Sequence, residues 1–298
     1  MKRPTFRSDD SENAMGANVA QNRTRGCGVR ACSTARGRIL STMRNIIAVI
    51  AKKGGVGKST TAATLAAVFA ENGRRVLLID FDAQASTSAW FAPTTEGPGL
   101  FEALTGTRPI SVCVRPTRIE RVSIITADPR IAGLDRALVD EVGPERIFAE
   151  RLADLPADVA DVVIVDSPPA LGLASLSILA AASHALVVTT PDALGGAGLR
   201  DSVALVESAR KRLNRRLSLV GILACRADHR RNLTAESIEA MRKEYGAAML
   251  AAVIPESAAA AESPSHGQPL TTYDPGGKAT EAYRAAAAEI IKRMKGRR

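Results

Sequence analysis

The chain has 298 residues, 46% of them hydrophobic, with 40 Lys and Arg against 31 Asp and Glu. That is apolar content for one substantial α/β core, and the absence of an apolar run of roughly 18 or more residues excludes a membrane-spanning helix. The four cysteines, Cys27, Cys32, Cys113 and Cys225, form no C-x-x-C pair and no metal-ligand spacing with His184, His229 or His266, which argues against a zinc or cluster protein and fits a reducing cytosol. The net charge of +9 is uneven: residues 1–42 carry +5, residues 43–199 carry −3, and residues 200–298 carry +7.

In chain order, residues 1–42 have few large apolar residues and no periodicity, and read as a disordered basic extension. They contain no apolar core of a secretory signal. Met43, immediately before the first strand, is an alternative start, and residues 43–298 are expected to form one domain. Ile46–Ile50 reads as a buried strand and Thr61–Asn72 as a helix closed by Gly73. Between them lies Lys52-Lys53-Gly54-Gly55-Val56-Gly57-Lys58-Ser59-Thr60. Its glycines let backbone N–H groups approach phosphate oxygens, and the helix N-terminus adds its positive dipole end. Lys58 is placed to neutralise the β- and γ-phosphates, and Ser59 to offer a hydroxyl to Mg²⁺. The usual G-x-x-x-x-G-K-[ST] pattern wants glycine at position 52, where this chain has lysine.

Arg75–Asp80 reads as a second buried strand ending in a carboxylate and followed by Phe81-Asp82-Ala83-Gln84. Asp161–Asp166 is a third, with apolar Val162-Val163-Ile164-Val165 delivering Asp166 as a metal-supporting carboxylate, and Ser167-Pro168-Pro169 forcing a turn. Ala185–Thr189 is a further strand, followed by Thr190-Pro191-Asp192, and a last helix spans 279–294. His184 reads as structural, and His229 and His266 as exposed loop residues. Strands alternating with helices imply a doubly wound, mainly parallel sheet flanked by helices, with strand-end carboxylates beside the phosphates.

Lys53-Gly-Gly-Val-Gly-Lys58-Ser59 resembles the deviant Walker A loop of the ParA/MinD ATPases, a branch of the P-loop NTPases. Asp80-Phe81-Asp82-Ala83-Gln84 resembles the family's D-x-D-P-Q segment with alanine in place of proline, and Asp166-Ser167-Pro168-Pro169 its D-x-P-P switch. Val253-Ile254-Pro255 and Glu262–Pro269 resemble stretches of ParA partition proteins, so that the similarity runs over approximately residues 44–295.

The resemblance implies ATP and Mg²⁺ as cofactors and a homodimer in the ATP state. It implies that residues 53–60 bind nucleotide, that Lys53 reaches the partner's phosphates, and that Lys53, Lys58 and Asp82 serve catalysis. Ser59, Asp80 and Asp166 would serve the metal, and Arg226 and Pro255 would lie near the base. It also implies slow ATP hydrolysis stimulated by a ParB-like centromere-binding protein, and nonspecific binding to double-stranded DNA in the cytoplasm. For that DNA, Arg215, Arg216, Arg230, Arg231, Lys292, Arg293 and Lys295 are the candidates. The usual arginines after Ile254-Pro255 are replaced here by Glu256-Ser257 and an alanine run. The end of the chain, Glu289–Arg298, lacks the bulky apolar face of a membrane-targeting helix, so no membrane partner is expected. The rival reading is a MinD-like or other positioning ATPase, and a metabolic enzyme with a related loop lacks a convergent set of acceptor-binding residues.

Overall fold

The computed structural model describes residues 45–94, 96–169, 172–192 and 195–296; Met43 and the extension 1–42 lie outside the described residues. Eight strands form one sheet: β1 (Asn45–Ile50), β2 (Val76–Asp80), β3 (Arg115–Pro116), β4 (Val122–Ile125), β5 (Val162–Asp166), β6 (His184–Thr189), β7 (Ser218–Ala227) and β8 (Met249–Pro255). Their spatial order is β3-β4-β2-β5-β1-β6-β7-β8, parallel throughout except for antiparallel β3 on β4. The doubly wound parallel sheet expected from the sequence is therefore present. The helices are α1 (Lys58–Glu71), α2 (Ser86–Phe91), α3 (Leu100–Leu104), α4 (Leu134–Ala137), α5 (Ile147–Ala153), α6 (Leu173–Ala181), α7 (Gly195–Arg212), α8 (Asn232–Tyr245), α9 (Ala258–Glu262), α10 (Leu270–Tyr273) and α11 (Lys278–Lys295).

The central strands are apolar on both faces because both faces are covered. On β1, Ile47 and Val49 join the core under α1 and α11, while Ala48 and Ile50 join the opposite core under α5, α6 and α7. Helix α1 is buried from Thr61 to Ala70 without interruption, and its alanines let it lie close to both the sheet and α11. A Cβ at Gly221 would stand 2.7 Å from Leu250 Cδ2, so glycine is what lets β7 and β8 keep their spacing. At the far end of α11, Arg293 donates to the carbonyls of Val220, Ala248 and Met249 and to Glu289 Oε1. It thereby fastens the helix to the starts of β7 and β8. Most element boundaries shift by a residue from the sequence reading, and two of the differences touch named residues. The loop lysine Lys58 already opens α1, and His184 begins β6 rather than preceding it, with Ser183 Oγ 2.8 Å from its Nδ1.

Phe148 of α5 is fully buried, its ring edge-on to Phe81 with centroids 5.0 Å apart. Phe81 sits between Asp80 and Asp82, so this contact supports the floor of the site from the opposite face. Phe148→Ala is expected to cost about 3–5 kcal/mol in urea unfolding; a loss below about 1 kcal/mol would show that the cavity collapses freely.

Candidate nucleotide-binding site

The site lies at the carboxyl ends of the parallel strands, where a doubly wound sheet opens its crevice. The loop after β1 turns through Gly55 at φ +73° and Gly57 at φ +92°, backbone values natural to glycine, and Gly57 caps α1. Thr61 N–H, bonded to Gly57 O, is the first donor closed within the helix, so the N–H groups of Lys58, Ser59 and Thr60 are the open ones at its N-terminus. Val56 is buried and roots the loop in the core. Above it is a cleft of 430 Å³ whose walls include Lys53, Gly54, Gly55, Gly57, Lys58, Ser59, Thr60, Asp82, Arg226 and Pro255. All ten were singled out in the sequence, and the fold brings them together.

The carboxylates stand behind this wall. Register places Asp80 of β2 directly opposite Asp166 of β5, and Asp166 opposite Val49 at the end of β1. Both are fully buried. Lys58 Nζ lies 3.1 Å from Asp166 Oδ1, and Thr87 Oγ1 donates to Asp166 Oδ2 at 2.6 Å. Asp80 Oδ2 accepts from the N–H and the hydroxyl of Ser88, both at 2.8 Å, and its Oδ1 accepts from Asp82 N–H at 3.1 Å. Burial, and then the nearby Asp166 carboxylate, push the Asp80 carboxyl up to about 7. Asp82 reaches the cleft, its Oδ1 accepting from Gln84 N–H in a tight turn.

The remaining loop lysines are held from the side. Lys52 Nζ pairs with Asp201 at 2.6 Å and its N–H donates to Ser202 Oγ, while Lys53 Nζ lies 3.3 Å from Asp192 Oδ2. Arg226, at φ +59°, donates from Nη1 to Gly55 O at 2.7 Å and from Nη2 to Glu256 Oε1 at 3.2 Å. Beneath the loop, Thr61 Oγ1 is 3.0 Å from Tyr283 OH and 3.7 Å from Cys225 Sγ, and burial pushes the Cys225 thiol up to about 12.

The donor set suits Mg²⁺, a hard cation that keeps several waters and takes few protein oxygens beside phosphates. Ser59 lines the cleft, and the two strand-end carboxylates lie behind it. Among the described residues there is no cluster of three or more His, Cys, Asp or Glu that could hold a metal unaided.

The seven basic candidates are not brought together. Arg230 and Arg231 follow the end of β7, on the cleft edge, and both pair with Asp228, whose carboxyl Arg230 above all holds down at about 2. Arg215 and Arg216 precede β7, and Lys292, Arg293 and Lys295 lie near the starts of β7 and β8. The length of β7, at ~3.3 Å per residue, separates the two groups by about 30 Å. Arg293 differs from its neighbours in that its guanidinium is engaged by three carbonyls and Glu289. Sequence reasoning missed Thr87 and Ser88, which fix the two carboxylates, and Trp90, Glu256 and Tyr283 on the cleft wall. The only signal for the first pair was the hydroxyl run Ser86-Thr87-Ser88 after Asp80-Phe81-Asp82.

This loop, the paired strand-end carboxylates and the parallel sheet define a P-loop nucleoside triphosphatase. Residues 44–219 match the family model described as an AAA domain. The chain is 33% identical to the chromosome partitioning protein ParA of Myxococcus xanthus, over 85% of this chain and 90% of that one. It is 34% identical to the chromosome-partitioning ATPase Soj of Thermus thermophilus, over 83% and 96%. Among solved structures it resembles cobyrinic acid a,c-diamide synthase of Mycobacterium smegmatis with bound ADP and magnesium, with a TM-score of 0.74, 28% identity, and coverage of 86% and 97%. The chain belongs to the ParA family of ATPases.

Lys58 and Asp166 are buried together, 7% and 0% exposed, so removing one leaves the other uncompensated. Lys58→Met is expected to lower unfolding stability by about 3–5 kcal/mol, with Lys58→Met/Asp166→Leu recovering most of it. A denaturant double-mutant cycle showing additive losses would contradict a direct coupling.

Proposed function

We propose that this chain binds ATP with Mg²⁺, dimerises around the nucleotide, binds double-stranded DNA nonspecifically and hydrolyses ATP slowly until a ParB-like centromere-binding partner stimulates it. It would act in the cytoplasm, on the nucleoid, to segregate DNA. The observation that carries the reading is the unequal setting of two lysines on one loop. Lys58 is buried against Asp166, where it can serve only its own site; Lys53 is 39% exposed on the rim, held by one partly exposed ion pair.

The chemistry follows from placement. Lys58, the glycine turn and the open N–H groups of α1 bind and orient the phosphate chain, and two converging cations would offset the charge that develops as the terminal phosphoryl leaves. Mg²⁺, held by Ser59 with Asp80 and Asp166 behind, would neutralise phosphate charge. Asp82 on the cleft wall is the group to orient the attacking water. Pro255 and Arg226 close the end of the cleft proposed for the base.

With a slowly hydrolysed ATP analogue, sizing chromatography is expected to give a dimer for wild type and none for Lys58→Ala, which should lose binding. Lys53→Ala should bind nucleotide yet remain monomeric, and Asp82→Ala should stay dimeric on ATP itself. An unaltered Lys53→Ala dimer would remove the trans role.

For DNA, the pair Arg230 and Arg231 is the stronger candidate, because it follows β7 at the same edge of the sheet as the proposed nucleotide site, whose state must govern binding. Replacing both with alanine is expected to flatten the log–log salt dependence of ATP-state DNA binding by about two units if both reach phosphate. Arg215→Ala/Arg216→Ala, on the opposite edge, should leave that slope unchanged. A second reading, a positioning ATPase acting on a protein assembly, is favoured by Asp228 and Glu256, which place negative charge among the cleft-edge arginines. Absence of DNA binding at low salt would select it.

A further inference from the structure

Arg226 is tied to the loop itself. Its Nη1 donates to Gly55 O, its Nη2 meets Glu256, and Glu256 is fixed in turn because its N–H donates to Ala227 O. The guanidinium therefore bridges the ends of β7 and β8 to the crest of the phosphate loop. Its planar fork suits this, since two donors diverge toward two acceptors in fixed geometry. The backbone of Arg226 lies in the left-handed region at φ +59°, where residues other than glycine are uncommon and which persists only when surroundings over-determine it.

The crest needs such a tie. Gly54 and Gly55 have no side chains to pack, and a Cβ built at either would meet nothing within 4 Å. A peptide plane between freely turning residues can point either its carbonyl or its N–H at an anion, and only the N–H attracts phosphate. Because the peptide is planar and trans, holding the Gly55 oxygen on Arg226 also holds the Val56 N–H pointing the opposite way within the same plane.

We propose that Arg226 is a positioning residue for the phosphate-binding loop, aligned by Glu256, so that it governs affinity for the phosphate chain whatever base is attached. This rests on the nucleotide-site reading. It differs from a role in base recognition, which the location of Arg226 at the end of the cleft would otherwise suggest.

The test compares Mg–ATP with magnesium tripolyphosphate, which has the phosphate chain and no base. Binding is read from Trp90, the sole tryptophan, which lines the cleft. Arg226→Gly is the informative variant, because glycine accepts φ +59° without strain and keeps the fold, verified by circular dichroism. It should weaken both ligands by the same factor, about tenfold, the scale for losing a charge-assisted hydrogen bond. Glu256→Gln, which leaves the fork in place but loosens its alignment, should weaken both by about two- to threefold. Arg226→Lys should restore only part of the loss, since an ammonium on a flexible stem lacks the fixed fork. An unchanged tripolyphosphate affinity in Arg226→Gly overturns the proposal: if ATP alone weakens, Arg226 reads the base, and if neither weakens it has no role. Failure of wild type to bind either ligand would instead overturn the nucleotide-site reading, and this inference with it.

Discussion

The buried pair of Lys58 and Asp166 is the constraint around which the site is arranged. Moving two charges out of water is costly, and their attraction offsets that cost only if the remaining lone pairs and protons find partners. The structure supplies them: the second oxygen of Asp166 takes the Thr87 hydroxyl, and Lys58 keeps one side on the open cleft. A well-packed apolar pair would serve stability as well or better, so the arrangement is understandable only if the lysine is wanted at the cleft. Parallel register does the rest, because it delivers Asp80 beside Asp166 and obliges Ser88 to occupy one face of the second carboxylate.

The polarity of the sheet then sorts the surface. Every parallel strand ends on the same edge, so the loop, both carboxylates, Asp82, Arg226 and Glu256 converge although the chain between the first and last of them runs for most of its length. The same polarity separates the arginines before and after β7, which sequence spacing alone would group. It also gives α11 two jobs. Tyr283 reaches the underside of the phosphate loop through Thr61, while Arg293, at the opposite end, locks the helix to the starts of β7 and β8.

The parts of this molecule that were legible in the sequence are those whose partners are near in the chain. The loop is one contiguous motif, and apolar runs ending in Asp80 and Asp166 announce buried parallel strands. The glycine run stops at Gly57, yet α1 begins at Lys58 rather than Thr61, because the cleft-lining residues Lys58, Ser59 and Thr60 are themselves the first helical turn. What could not be read depends on separation in sequence. Thr87 meets Asp166, Lys52 meets Asp201, and Arg226 meets Gly55 across 79, 149 and 171 residues. The alanine run after Glu256 looked like an interruption of a basic surface, whereas in the fold Ala260 and Ala261 line the cleft and Glu256 aligns Arg226.

The two lysines that open the loop show how such distant contacts divide labour between neighbours. Lys52 is anchored twice, by its side chain on Asp201 and by its N–H on Ser202, whose hydroxyl in turn donates to Gly198 O. That fixes the start of the loop to α7. Lys53 has a longer and partly exposed pair with Asp192, which itself accepts from the Thr190 hydroxyl. An exposed pair of this kind is worth about 0–1 kcal/mol, so giving it up for a triphosphate, which presents several negative charges at once, is favourable as soon as one comes within reach. Anchoring the first lysine keeps the second at the rim. A weak partner for the second keeps it ordered without committing it, and that combination is what a residue needs if it is to act outside its own subunit.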